Sequence, residues 1–75
     1  MPRKYQLAIG GNIRKWRVIK GIKQIDLAKR IGLSKATLSK IENDRQKVSL
    51  EQLQTIAECL KIQATKLYND PFEQL

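Results

Sequence analysis

The chain has no histidine and a single cysteine, Cys59. An internal disulfide is therefore excluded, as are a zinc cluster of Cys/His type and a Ser-His or Cys-His nucleophile pair. One unpaired thiol suits a reducing compartment, because small secreted domains are normally stapled by several bridges. No stretch approaches the roughly 18 consecutive apolar residues of a membrane span, and Met1 to Lys4 leads into no long apolar segment with a cleavage site. A cytoplasmic protein without a membrane partner is expected. The two prolines, Pro2 and Pro71, sit near the ends. No alternating run long enough for a sheet is present, so helices should fill the body. A chain of 75 residues reads as one domain, 1–75. A domain of this size buries only roughly 60% of its unfolded surface, and a deep substrate pocket is not expected.

Charge and apolar content are what the sequence does have. The net charge is +8 on a chain that is 41% hydrophobic, enough for a packed core and too much for disorder. Residues 1–47 hold 13 basic and 3 acidic residues, whereas 48–75 hold 2 basic and 4 acidic. The first part is suited to a polyanion, with nucleic acid ahead of an anionic membrane surface. The second is suited to packing or to association with protein.

Apolar spacing places the helices. Leu7, Ile9, Ile13 and Trp16, with Ile19 or the Lys20 stem, mark a first helix over about Gln6 to Lys20, stopped by Gly21. Leu27, Ala28 and Ile31 mark a second from about Gln24 to Ile31, ended by Gly32. Ser34 offers an N-cap oxygen to a third, on which Leu38 and Ile41 form a narrow buried stripe. Ser49 caps a fourth carrying Leu50, Leu53, Ile56, Ala57 and Leu60, and a short fifth turn covers Ala64 to Tyr68.

Two short helices joined by a tight glycine turn are the helix-turn-helix arrangement, whose second helix enters the major groove of DNA. In QIDLAKRIGLSKATLSKIE, starting at Gln24, Ala28 allows close helix approach, Gly32 supplies the turn, and Leu38 and Ile41 seat the second helix on the first. The set in register is far more specific than any one member.

From Ile13 to Leu60 the chain resembles the Cro/C1-type helix-turn-helix domain of phage repressors, the XRE family. The match is carried by Arg17, Gln24, LAKRIG at Leu27 to Gly32, and LSKATLSKIEN at Leu33 to Asn43. The resemblance implies an all-α, compact five-helix domain and a sequence-specific transcriptional regulator, with a helix-turn-helix core at about 24–42. Two positions depart from the family pattern: Asp44 stands where glycine is common, and Val48 where proline is frequent. Aspartate can visit the left-handed region, so a slightly altered loop is expected rather than a different fold.

Because Leu38 and Ile41 face inward, Lys35, Ala36, Ser39 and Lys40 should face outward and are the base-reading candidates. Lysine can donate to guanine, serine can contact several bases, and the alanine methyl can only pack. The plainer reading of these four is a solvated helix face. The resemblance places Gln24 against a DNA phosphate at the start of helix two, where a cap or a solvated residue is the alternative. Lys23, Thr37, Asn43, Arg45 and Lys47 are further phosphate candidates; each is otherwise an ordinary surface group. The resemblance also implies that Arg17 and Glu42 pair, tying helix one to the end of helix three. Trp16 and Cys59 read as packing residues, with base stacking and redox sensing as the respective alternatives.

Family members usually bind as two-fold dimers, so a homodimer on a palindromic operator of double-stranded DNA is expected. Leu67, Tyr68, Phe72 and Leu75, in a possible dimerisation segment 62–75, are the interface candidates; alternatively Leu67 and Tyr68 close the monomer core. No cofactor is called for. Related readings are an antitoxin, whose C-terminal half would also bind a protein partner, and a restriction-modification controller. A membrane-surface helix would need one long amphipathic segment, which Gly21 and Gly32 interrupt. An enzyme is disfavoured because Asp26, Glu42 and Asp44 are the only carboxylates in the basic part and no nucleophile and base pair is evident.

Overall fold

The computed structural model of the chain describes the backbone of residues 9–74 and the side chains of residues 9–72. Four α helices follow one another, α1 (Ile9–Ile19), α2 (Gln24–Arg30), α3 (Lys35–Glu42) and α4 (Leu50–Leu60). In place of a fifth helix there are two short 3-10 turns, Ala64–Tyr68 and Pro71–Gln74. No strand occurs among the described residues. The expected beginning of helix one at Gln6, with Leu7, lies outside them.

Local chemistry sets most of the helix boundaries. The Ser34 hydroxyl accepts from the Thr37 backbone N–H at 3.1 Å, satisfying an otherwise orphaned donor of α3. At α4 the capping is reciprocal: Ser49 Oγ accepts from Gln52 N–H at 3.0 Å, and Gln52 Oε1 accepts from Ser49 N–H at 3.1 Å. Every α helix then stops around a left-handed residue, namely Gly21, Gly32, Asp44 and Lys61, with φ between 58° and 74°. In each case that residue's N–H and the next one's reach back into the last turn, as Asp44 does to Ile41 and Arg45 to Lys40. Glycine adopts this conformation without a steric penalty at Gly21 and Gly32; Asp44 and Lys61 adopt it despite their β-carbons.

The core is Ile13 from α1, Leu27 and Ala28 from α2, Leu38 and Ile41 from α3, Leu53, Ile56, Ala57 and Leu60 from α4, and Leu67. Trp16 and Cys59 pack against its edge, and the Trp16 indole N–H donates to the Lys66 carbonyl at 3.3 Å. Two expected core positions are corrected. Ile19 is exposed, because α1 ends there beyond the elements that cover Ile13. Leu50 is 77% exposed, because it occupies the first position of α4, where the apolar row outruns the core.

Leu67 also needs correction as a dimer candidate. It is fully buried in the core of the single chain, and its carbonyl accepts from the buried Asn12 side-chain amide at 3.0 Å. It is therefore not available to a second copy. Tyr68 and Phe72 are 51% and 52% exposed, and Leu75 lies outside the described residues.

Gly10 fixes how α1 meets α3. A β-carbon there would overlap the Ile41 carbonyl oxygen and lie 2.6 Å from Asp44 Oδ1. Only glycine permits this crossing, which brings the start of α1 beside the end of α3.

Candidate nucleic-acid interface

The turn between α2 and α3 is short: Gly32 N–H donates to Lys29 at 3.2 Å and Leu33 N–H to Ala28 at 2.9 Å. Ala28 and Leu38 are both buried in the common core, and the small residue on α2 leaves room for α3 to approach. With Leu38 and Ile41 directed into the core, α3 presents its other side to solvent. Lys35, Ala36 and Lys40 are exposed on that side, and Ser39 is half-buried. Asn43 lies one turn beyond Ser39 and donates to its carbonyl at 2.9 Å and, more loosely, to its hydroxyl at 3.4 Å.

The groups expected to meet phosphate lie at the starts of α2 and α3 and in the loop after α3. Lys23 is exposed at the N-cap of α2, where no side chain bonds the free backbone amides. Thr37 is half-buried at the start of α3, with its hydroxyl 3.0 Å from Ser34 Oγ. Ser34 donates in this pair, leaving the Thr37 O–H free to donate outward. Arg45 and Lys47 are exposed in the loop between α3 and α4.

Gln24 is engaged within the protein. Its Nε2 donates to Glu42 Oε1 at 3.0 Å, an engagement that sequence reasoning missed because the competing acceptor lies 18 residues away. A carboxamide nitrogen carries two hydrogens, so one N–H remains for a phosphate. Glu42 is buried and also accepts from Arg17, at 2.8 Å from Nε and 3.1 Å from Nη2. Arg17 Nη1 donates in addition to the Ile22 carbonyl at 2.9 Å. One carboxylate thus joins α1, α2 and α3, and its charge is matched by a guanidinium inside the protein.

A second ion pair ties α1 to the segment after the first 3-10 turn. Lys15 Nζ lies 2.6 Å from Asp70 Oδ2 and 5.6 Å from the centre of the Phe72 ring. Asp70 Oδ1 accepts from the Phe72 backbone N–H at 2.9 Å. The hydrogen bond from Lys15, then that from Phe72, hold the Asp70 carboxyl below its ordinary pKa of 3.8, outweighing partial desolvation. No described helix is long and apolar enough to cross a membrane.

A helix-turn-helix family model matches residues 13–67. A hypothetical transcription factor of Neisseria meningitidis serogroup B is 34% identical over 64 residues, which cover 85% of this chain and 60% of that protein. The chain thus spans about three fifths of the length of this curated relative. The crystal structure of the Neisseria factor superposes with a TM-score of 0.79 at 33% identity, covering 91% of this chain and 78% of that one. SinR, the master regulator for biofilm formation, has been solved in complex with DNA. It gives a TM-score of 0.74 at 31% identity over 81% of this chain and 98% of its own, and it has also been solved in complex with SinI. The restriction-modification controller protein C.AhdI of Aeromonas hydrophila gives a TM-score of 0.74 at 30% identity, over 79% and 86% of the two chains. The four α helices, their glycine turn and these matches agree, and the chain belongs to the Cro/C1-type helix-turn-helix family.

Proposed function

We propose that this protein is a sequence-specific transcriptional repressor that binds double-stranded DNA as a homodimer, inserting α3 into the major groove at each half of a palindromic operator. The observation that carries the reading is the outward side of α3. Lys35, Ala36, Ser39 and Lys40 share that side, and Lys23, Arg45 and Lys47 are exposed on the segments before α2 and after α3, while the helix's one carboxylate is turned inward onto Arg17. The small side chains of Ala36 and Ser39 leave room for the helix to approach base edges, and the long Lys35 and Lys40 side chains carry charge to them. In this reading Lys35 and Lys40 donate to guanine, Ser39 contacts a base or sugar, and Ala36 packs on a thymine methyl. Thr37, Asn43 and the second N–H of Gln24 join the loop cations on phosphate.

Tyr68 and Phe72 remain the exposed candidates for a dimer contact or for a protein partner on the C-terminal half; SinR, with its solved SinI complex, supports considering the latter. The likeness to C.AhdI favours a second reading with the same DNA action, a restriction-modification controller. A methyltransferase gene beside this one would favour it.

Footprinting on the DNA upstream of the protein's own gene tests the proposal. Two protected half-sites about one helical turn apart, roughly 34 Å between centres, are expected from a two-fold dimer. Uniform weak protection along the whole fragment would contradict sequence-specific binding.

A further inference from the structure

Asp44 is an unexpected residue for its place. It holds φ 58°, a conformation that a β-carbon disfavours and glycine adopts freely. It also puts a carboxylate in the loop that carries Arg45 and Lys47, on the side proposed to face a polyanion. Glycine at this position would bring neither strain nor negative charge. What aspartate adds is an acceptor: Oδ1 takes the Gly10 backbone N–H at 2.9 Å. Among the described residues this is the one hydrogen bond between the α3–α4 loop and α1. Of the loop's side chains, Val48 packs half-buried against the core, whereas those of residues 43–47 are exposed. Residues 44–48 line an open groove of about 630 Å³ together with Ile9, Gly10 and Ile41.

We infer that Asp44 is a positioning residue: by accepting from Gly10 it holds the loop in the one register from which Arg45 and Lys47 reach the DNA backbone. Gly10 is the other half of the device, because only a residue without a β-carbon lets α1 come within reach of the carboxylate. The inference rests on the DNA-binding reading above. Its signature is that charge and acceptor act in opposite directions. The charge alone repels phosphate, whereas the hydrogen bond orders the cations that attract it.

Two substitutions separate these effects, and both permit the left-handed backbone. Asp44→Asn removes the charge and keeps an acceptor oxygen; Asp44→Gly removes both. Binding of the full chain to the duplex it prefers is measured by fluorescence anisotropy across a salt series, with thermal unfolding followed in parallel. Asp44→Asn is expected to bind as tightly as the unsubstituted protein or about threefold tighter, as repulsion is relieved. Asp44→Gly is expected to bind about three- to tenfold more weakly, the scale of one net hydrogen bond. Its dependence of log affinity on log salt should be shallower by about one, the loss of one phosphate contact. An equal response of the two variants, in either direction, would overturn the inference. If the unsubstituted protein bound no duplex at all, the DNA-binding reading would fall, and the role of Asp44 with it.

Discussion

The carboxylate of Glu42 takes the guanidinium of Arg17 through both of its oxygens, at 2.8 and 3.1 Å. The side chain of Glu42 is 1% exposed and that of Arg17 11%, so neither charge is well hydrated, and each depends on the other. Since the pair sits at the C-terminal end of α3, it sets how that helix stands on α1.

Replacing one partner leaves the other buried and uncompensated. Glu42→Ala should destabilise the fold by about 3–5 kcal/mol, the usual range for breaking a buried pair on one side. It also frees Gln24, so DNA affinity should fall even at temperatures where the variant is folded. Urea unfolding checks the first expectation, and an unchanged midpoint would contradict it.

Gly10 and Gly21 should respond differently to a single added methyl. Gly10→Ala drives a β-carbon into the Ile41 carbonyl and should cost about 3 kcal/mol or more, since neither helix backbone can yield easily. At Gly21 the space is open and only the φ of +72° is at issue, so Gly21→Ala should cost about 1–2 kcal/mol. Thermal unfolding of the two variants side by side should rank Gly10→Ala as the less stable; the reverse order would mean that the crossing of α1 and α3 is looser than described.

Lys61 ends α4 with φ 59°, and its exposed side chain makes no bond that would be lost. Lys61→Gly should therefore stabilise the protein by about 1 kcal/mol, through relief of the left-handed strain. Asp44→Gly relieves the same strain but loses the acceptor for Gly10, and should give no such gain. Equal stabilisation by both substitutions would deny the Asp44 hydrogen bond any weight.

Asp70 gives the fold a pH dependence of known sign. Its folded pKa is lowered, mainly by the Lys15 hydrogen bond and then by the Phe72 N–H. Its contribution is therefore present above the ordinary carboxylate value of 3.8 and is lost as pH falls through the folded value. The stability difference between the unsubstituted protein and Asp70→Asn should be largest near neutral pH and should close on acidification below about pH 4. Because the pair is partly solvated, the difference should be small and should shrink with salt. A difference that widened on acidification would contradict the assignment.

Local chemistry was legible in the sequence, and contact between distant segments was not. Ser34, Ser49, Gly21 and Gly32 announced the helix ends because caps and left-handed turns involve residues close in the chain. The period of Leu38 and Ile41 identified the inward side of α3 for the same reason. Period alone does not say how far a covering element extends, which is why Ile19 and Leu50 read as buried. Leu67 read as surplus because its site is completed by α1, far away in sequence. Gly10 and Gly11, a glycine pair between apolar residues inside a helix, mark a close crossing without saying which element crosses there. The donor to Asp44 depends on that crossing, and the acceptor of Gln24 on how α2 sits against the end of α3; neither could be read before the packing was seen.

In the proposed function α3 reads DNA sequence rather than merely adding to a basic surface. The most direct measurement is a fluorescence-anisotropy titration of the unsubstituted protein and of Lys40→Ala, against the duplex upstream of the gene and a shuffled duplex of equal length, at several salt concentrations. If α3 reads bases, the upstream duplex is preferred by about a thousandfold or more, and the preference survives moderate salt. Lys40→Ala then loses about 1–3 kcal/mol on that duplex and much less on the shuffled one. Equal binding to both duplexes that collapses together as salt rises would contradict the claim and leave only a basic surface.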